Sequence, residues 1–424
     1  MNSFVLKGDI CYSIDKDTLC TIENGYCVCV DTVSKGVFTT LPKEYSTLPL
    51  YDYSGKLIIP GLVDLHIHAP QFAFRGLNMD SELLSWLNEN AFPEEAKFAD
   101  LSYAKKAYTI FAEALKNSVT TRACIFATLH KEATLLLMEL MEKSGLISFV
   151  GKVNMDRNSP DILIEESAEK SAKDTESWVL SAIGKFDNTF PIITPRFIPS
   201  CTDELMEKLG KLAKKHKLSA QSHLSENKDE IKWVAELCPD AKSYGDAYDK
   251  FGLFGKDTKT IMAHCVYSGD DEVEHMKENG VFIAHCPASN TNLTSGIAPV
   301  RAYLDKGLKV GIGSDVAGGH TESLFRAISD TIQVSKLYHR LVDNTAKPVT
   351  FSEAFFLSSK GGGEFFGKVG SFEDDYEFDA VVIDDSVLPH PQELSVKERL
   401  ERSVYLNADL LGITAKFVRG KKII

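Results

Sequence analysis

Two histidines one residue apart, His66 and His68, close the apolar run Pro60-Gly61-Leu62-Val63-Asp64-Leu65. Positions i and i+2 of a strand point to one face, so both rings can reach a single metal ion. Alone, a His-x-His pair says little. Here three further residues of ligand type each end an apolar run of their own. They are His223 in Gln221-Ser222-His223-Leu224-Ser225-Glu226, His264 in Ala263-His264-Cys265, and Asp315 in Gly313-Ser314-Asp315-Val316-Ala317-Gly318-Gly319. Taken singly, each has a plainer role. A histidine at a strand end more often packs or hydrogen-bonds, Asp315 could cap the next helix, and Glu226 suits an exposed first helical turn. Ligand-type residues at the ends of four separate runs are better explained by one shared site.

Three imidazoles and a carboxylate suit Zn2+ or Fe2+, whereas Mg2+ and Ca2+ prefer shells of oxygen. A catalytic zinc keeps one position open for water and lowers the pKa of that water to about 7, so that it can attack a polarised carbon at neutral pH. Glu226 follows His223 by three residues, where a carboxyl group can carry protons as general acid and base.

Such residues need a scaffold that gathers strand ends. From about residue 59 to 371, short apolar runs alternate with helical stretches, the pattern of a parallel α/β fold. Eight runs read as strands: GLVDLHIHA, VTTRACIFAT, ISFVGKVNM, FPIITPRFI, LSAQSHLS, TIMAHCVYS, VFIAHCPAS and KVGIGSDVA. Apolar spacing predicts helices at 102–118 and 203–217. Together they predict a TIM-like (β/α)8 barrel over 59–371, with functional residues at the C-terminal strand ends, where the candidates all fall. Residues 1–58 and 372–424 hold strand-like runs such as FVLKGDICYS, YCVCVDT, EFDAVVID and AKFVRGKKII. They are expected to pair as one small composite β-sandwich domain. The acidic run FEDDYEFD, 372–379, reads as a solvated loop between the two.

The 424 residues carry a net charge of −13, which argues against a nucleic-acid groove and leaves a free base, nucleoside or cationic substrate open. The nine cysteines are odd in number and irregularly spaced, and no Cys-x-x-Cys occurs. Neither a disulfide framework nor a thiolate zinc site is expected. The N-terminus lacks a basic n-region and a long apolar h-region, and no apolar run approaches the length of a membrane span. A cytoplasmic protein without membrane or nucleic-acid partners is expected.

The chain resembles the amidohydrolase superfamily. His66-x-His68 on the first strand, His223 on the fifth, His264 on the sixth and Asp315 on the eighth carry the match. It extends from the Pro60-Gly61 entry to Phe378-Asp379-Ala380-Val381-Val382-Ile383-Asp384. The resemblance implies a distorted barrel with a composite β domain. Many two-metal relatives bridge their ions with a carboxylated lysine from strand four. Strand four here, Phe190-Pro191-Ile192-Ile193-Thr194-Pro195-Arg196-Phe197, has none, and Lys152 on strand three reads as structural. A mononuclear site, and with it the superfamily's deaminases, is favoured. Among these, His68-Ala69-Pro70-Gln71, Thr194-Pro195-Arg196-Phe197 and the 221–226 and 314–319 segments are similar to those of enzymes acting on guanine.

That similarity implies one zinc ion per subunit, with Fe2+ also accepted, held by His66, His68, His223 and Asp315. It implies proton chemistry by Glu226, His264 and Asp315, guanine held by Gln71 and Arg196, and a homodimer. The proton of the attacking water would go to Asp315 or Glu226, and Glu226 would protonate N3. The side chains suit the task. An arginine fork offers planar donors for O6 and N7, and Gln71 offers donor and acceptor. Phe197 and Trp86 could stack on the base or wall the pocket, although Trp86 fits equally as a core residue. Arg196 among apolar neighbours needs a ligand or an acidic partner. His285 and Asp64 read as structural or as supports of the ligands.

Of three rivals, two remain in view and the third is rejected. One is a related deaminase of another purine, a pterin or a triazine; another is a non-catalytic scaffold on the same barrel. The third, the zinc deaminase fold with His-x-Glu and Pro-Cys-x-x-Cys, lacks its thiolates here.

Overall fold

In the computed structural model, which describes residues 3–406 and 412–424, all eight expected barrel strands form. They are Leu62–His68, Thr120–Phe126, Ile147–Gly151, Thr189–Pro191, Ala220–Leu224, Thr260–His264, Phe282–His285 and Lys309–Ile312. The first four pair in parallel in one sheet and the last four in another. Strands covered on both faces have no side that must stay polar, which is why these runs are nearly continuous in apolar residues.

Backbone hydrogen bonds at two seams close the barrel. At one, Ile193 N–H donates to Ser219 O at 2.9 Å and Gln221 N–H to Ile193 O at 2.9 Å. At the other, Asp315 N–H donates to His66 O at 2.8 Å and His68 N–H to Val316 O at 3.1 Å. The second seam is thus built from the same segments that carry three candidate ligands. The fourth strand is interrupted. Pro191 and Pro195 cannot donate to a ladder, and Thr194–Pro195 pairs instead with Val153–Asn154.

The predicted helices form as Leu101–Lys116 and Asp203–His216. The second shows why. Thr202 caps it by accepting from Leu205 N–H, acids fill its first turn and lysines its last. Leu205, Met206, Leu209, Leu212 and Ala213 form its buried stripe.

The two chain ends meet in a seven-stranded sheet. Its central pairing sets Ala380–Ile383 antiparallel to Leu50–Pro60, with Ala380 opposite Pro60, next to the entry into the first barrel strand. The acidic run 372–379 departs from the expected solvated loop. Phe372, Phe378 and Asp379 are buried. Arg122 Nε donates to Asp379 Oδ2 at 2.6 Å and its Nη2 to Glu377 Oε2 at 2.7 Å. A buried guanidinium requires such partners, so this run clamps the sheet to the barrel. Lys416 adds a second clamp, its Nζ donating to the carbonyls of Lys116 and Thr120 at 2.6 and 2.9 Å.

A candidate metal centre and the pocket beside it

His66 and His68 end the first barrel strand with their Nε2 atoms 3.2 Å apart. His223 Nε2, from the fifth strand, lies 3.3 Å from His68 Nε2. Asp315 Oδ1 lies 3.1 Å from His66 Nε2 and 3.4 Å from His68 Nε2. A tetrahedral ion with bonds of about 2.0–2.1 Å separates its ligand atoms by roughly 3.3–3.4 Å. His66, His68 and His223 thus form one group with donor atoms within 4.8 Å of one another, and Asp315 adjoins its first two members at spacings close to those one such ion requires.

Their protonation also fits. Burial lowers the pKa of His66, and burial together with the neighbouring rings holds His68 and His223 well below the usual range. Neutral rings leave lone pairs for a metal. His223 Nδ1 lies 2.7 Å from Arg196 O. A carbonyl can only accept, so Nδ1 carries the proton and Nε2 is free to ligate. Burial opposes charge on Asp315, but His66, His264 and His68 outweigh it and keep the carboxylate well below its ordinary range. A second grouping, His66, His264, Asp315 and Cys286, is less suited to a metal. Burial pushes the Cys286 thiol well up, and its Sγ donates to Ala284 O at 3.4 Å. It is a thiol, whereas the ligand form is the thiolate.

His264 ends the sixth strand and faces two carboxylates, with Nε2 3.4 Å from Glu226 Oε2 and 3.7 Å from Asp315 Oδ2. Its Nδ1 donates to Asn290 Oδ1 at 2.9 Å. Burial works against protonation of His264, yet the charges of Glu226 and Asp315 prevail and raise its pKa. Glu226 is not an exposed helical acid. It is 3% exposed and precedes the helix Lys228–Leu237, which Asn227 caps. Burial, opposed by His264 and reinforced by Glu230 and Asp315, pushes its carboxyl up to about 7. Ser295 Oγ donates to Oε1 at 3.1 Å. Ser225, His264, Cys265 and Asp315 all hold positive φ, between 47° and 72°. Non-glycine residues rarely accept this conformation, and where they do, it commonly marks a functional site.

His68, His223, Glu226, His264 and Asp315 open on a cavity that Gln71, Trp86, Arg196 and Phe197 also line. All four residues named for substrate binding therefore meet the candidate centre. Trp86 belongs to the short helix Leu83–Trp86; it is both buried and part of the pocket wall. Arg196 has the acidic partner its burial demands: Nη1 donates to Glu95 Oε2 at 2.7 Å. Gln71 Nε2 donates to Glu95 Oε1 at 2.9 Å, and its Oε1 accepts from Ala317 N–H at 3.1 Å.

The amidohydrolase family profile matches residues 57–418. The chain belongs to the amidohydrolase family. It is 40% identical over 380 residues to a guanine deaminase of Dictyostelium discoideum, covering 88% of this chain and 83% of that one. It is 40% identical over 383 residues to a guanine deaminase of Mus musculus, covering 87% of this chain and 83% of that one. A crystal structure of a guanine deaminase from C. acetobutylicum with guanine in the active site superposes with a TM-score of 0.96. The two chains are 47% identical, with 100% of each covered.

Within this amidohydrolase, Asp64 sits where the sequence suggested a support of the ligands, whereas Asn290, Glu95 and Glu230 escape a reading of the sequence. Asp64 accepts from His66 N–H at 3.1 Å and from Ser314 N–H at 3.0 Å, tying the first strand to the eighth. Asn290 holds His264, and Glu95 joins Gln71 to Arg196. Glu230 accepts from Tyr244 OH at 2.7 Å and from Glu226 N–H at 3.1 Å. Only for Glu230 was there a local signal, the Asn-x-x-Glu capping box. His285 is buried with neither ring nitrogen partnered among the described residues. Lys152 pairs with Glu165 at 2.6 Å, a structural role.

Proposed function

We propose that this amidohydrolase binds one zinc ion per subunit through His66, His68, His223 and Asp315 and hydrolyses guanine to xanthine and ammonia. The observation that carries this reading is a juxtaposition. His68, His223 and Asp315 of the donor set, the Glu226–His264 pair and the Gln71–Arg196 donors line one cavity, with His66 directly behind His68. Guanine deaminases of two organisms at 40% identity, and a 47%-identical one holding guanine, support the choice of substrate.

When bound, zinc supplies a water acidic enough to attack at neutral pH, and Fe2+ would serve the same end. The chain's residues do the rest. Arg196 and Gln71 hold the base by O6, N7 and neighbouring edges, with Phe197 and Trp86 walling its faces. Glu226 takes one proton of the attacking water and delivers it to N3 as the C2–O bond forms. A carboxyl group poised near neutrality can both accept and return a proton. His264 donates from Nε2 to the attacking oxygen, its other nitrogen being committed to Asn290. The remaining hydroxyl proton passes to the 2-amino group by way of Asp315 or Glu226. The C2–N bond breaks, and ammonia leaves.

The same reading takes the enzyme as a cytoplasmic homodimer. All nine cysteines are free, which suits a reducing compartment. No helix among the described residues is long and apolar enough to cross a membrane.

The test is to incubate zinc-loaded protein with guanine, adenine, cytosine or guanosine and to follow ammonia and the deaminated product. Turnover of guanine alone supports the substrate assignment. Failure with guanine, or equal rates with all four, removes it.

A further inference from the structure

We propose that Glu95 is a positioning residue that sets the enzyme's selectivity for a 6-oxo purine; this rests on the assignment of Gln71 and Arg196 as the groups that hold the base. Glu95 is 2% exposed. Each of its carboxylate oxygens accepts one hydrogen bond from a different pocket residue, Oε1 from Gln71 Nε2 at 2.9 Å and Oε2 from Arg196 Nη1 at 2.7 Å. A barrel strand does not carry Glu95. It comes from the short helix Phe92–Ala96, whose Phe92 ring also lies 4.8 Å from Arg196 Cζ. Residues three apart share a helix face, so one face presents both the stacking ring and the carboxylate. The adjacent Glu94 is engaged elsewhere, with Lys97 at 2.6 Å.

The chemistry admits one arrangement. A carboxylate only accepts, and the Ala317 N–H only donates. Gln71 must therefore turn its amide nitrogen to Glu95 and its oxygen to Ala317, as it does. Its second N–H and second oxygen lone pair are left for a ligand. Arg196, held at Nη1, keeps its remaining donors for the same purpose. Glu95 also balances the guanidinium charge, so the pocket offers oriented donors to a neutral carbonyl edge without demanding an anion. A base that lacks the 6-oxo group forfeits that acceptor and gains less from this arrangement, keeping only N7.

The variant is Glu95→Gln. Its carboxamide keeps one acceptor and puts an N–H donor against either Gln71 Nε2 or Arg196 Nη1. Two measurements are made on metal-replete protein: the KM for guanine, and the inhibition constant of 2-aminopurine, which lacks O6, against guanine turnover. Loss of a hydrogen bond to a charged group typically costs about 10–100-fold. The expected result is a rise of that order in the KM for guanine, while the inhibition constant of 2-aminopurine changes by less than about threefold, with metal content unchanged. Equal losses for both bases, or an unchanged ratio, would overturn the assignment. Should the Gln variant show no cooperative unfolding, Glu95→Asp serves instead. It retains both acceptors but withdraws them by one methylene, and the same selective loss is expected. Lack of guanine turnover by the metal-replete parent enzyme would instead remove the guanine reading on which the inference rests.

Discussion

His264 Nε2 lies 3.4 Å from Glu226 Oε2, and the same ring is held from behind by Asn290 Oδ1, 2.9 Å from Nδ1. In the proposed reaction these two side chains would handle the proton and the attacking oxygen, and they are oriented as a pair before any substrate enters. Pre-orientation of this kind removes reorganisation from the chemical step.

Glu226→Gln should lower kcat by on the order of 10²–10⁴, the usual span for a general acid–base group, with metal content unchanged. Near-normal turnover by metal-loaded Glu226→Gln would remove Glu226 from the proton path.

The pH dependence follows from the same carboxyl group. Burial pushes Glu226 up to about 7. The group must start as a carboxylate to take the water's proton. Below its pKa it is already protonated, so kcat/KM should fall as pH drops through neutrality. An ordinary carboxylate would delay that fall to about pH 4–5. In Glu226→Gln this limb should vanish from the residual rate. A limb that persists in the variant belongs to another group.

Asn290→Ala frees His264 Nδ1 and should reduce kcat/KM about 10–100-fold without loss of metal, since His264 is proposed to bind the attacking oxygen and not the ion. Metal analysis beside steady-state kinetics separates this from collapse of the site.

Much of this arrangement was legible in the sequence, for a physical reason. His66, His68, His223 and His264 lie at the ends of buried parallel strands and Asp315 just beyond one, so a ligand-type residue after an apolar run marks both its element and its end. Glu95 has no such mark. It follows another acid in the first turn of a helix, where acids usually sit exposed against the dipole. Its partner Arg196 lies 101 residues further on. Asn290 is hidden likewise: it lies in the short helix Pro287–Asn292 after the seventh strand, 26 residues from His264, and nothing in its local sequence marks it. The acidic run at 372–379 misleads because composition shows charge but not the buried Arg122 that answers it.

Arg122→Met should therefore destabilise the fold. It leaves Asp379, whose side chain is 1% exposed, without its guanidinium. Breaking a buried pair in this way typically costs about 3–5 kcal/mol. Urea unfolding of the metal-loaded protein measures it, and a loss under about 1 kcal/mol would show that the clamp contributes little.

Zinc titration of metal-stripped protein, with guanine turnover as the readout, tests the central claim most directly. Activity should be absent without metal, rise in proportion to added zinc and level off at one ion per chain. A plateau at two ions per chain would contradict the mononuclear site. Metal-replete protein that leaves guanine unchanged would contradict the proposed reaction.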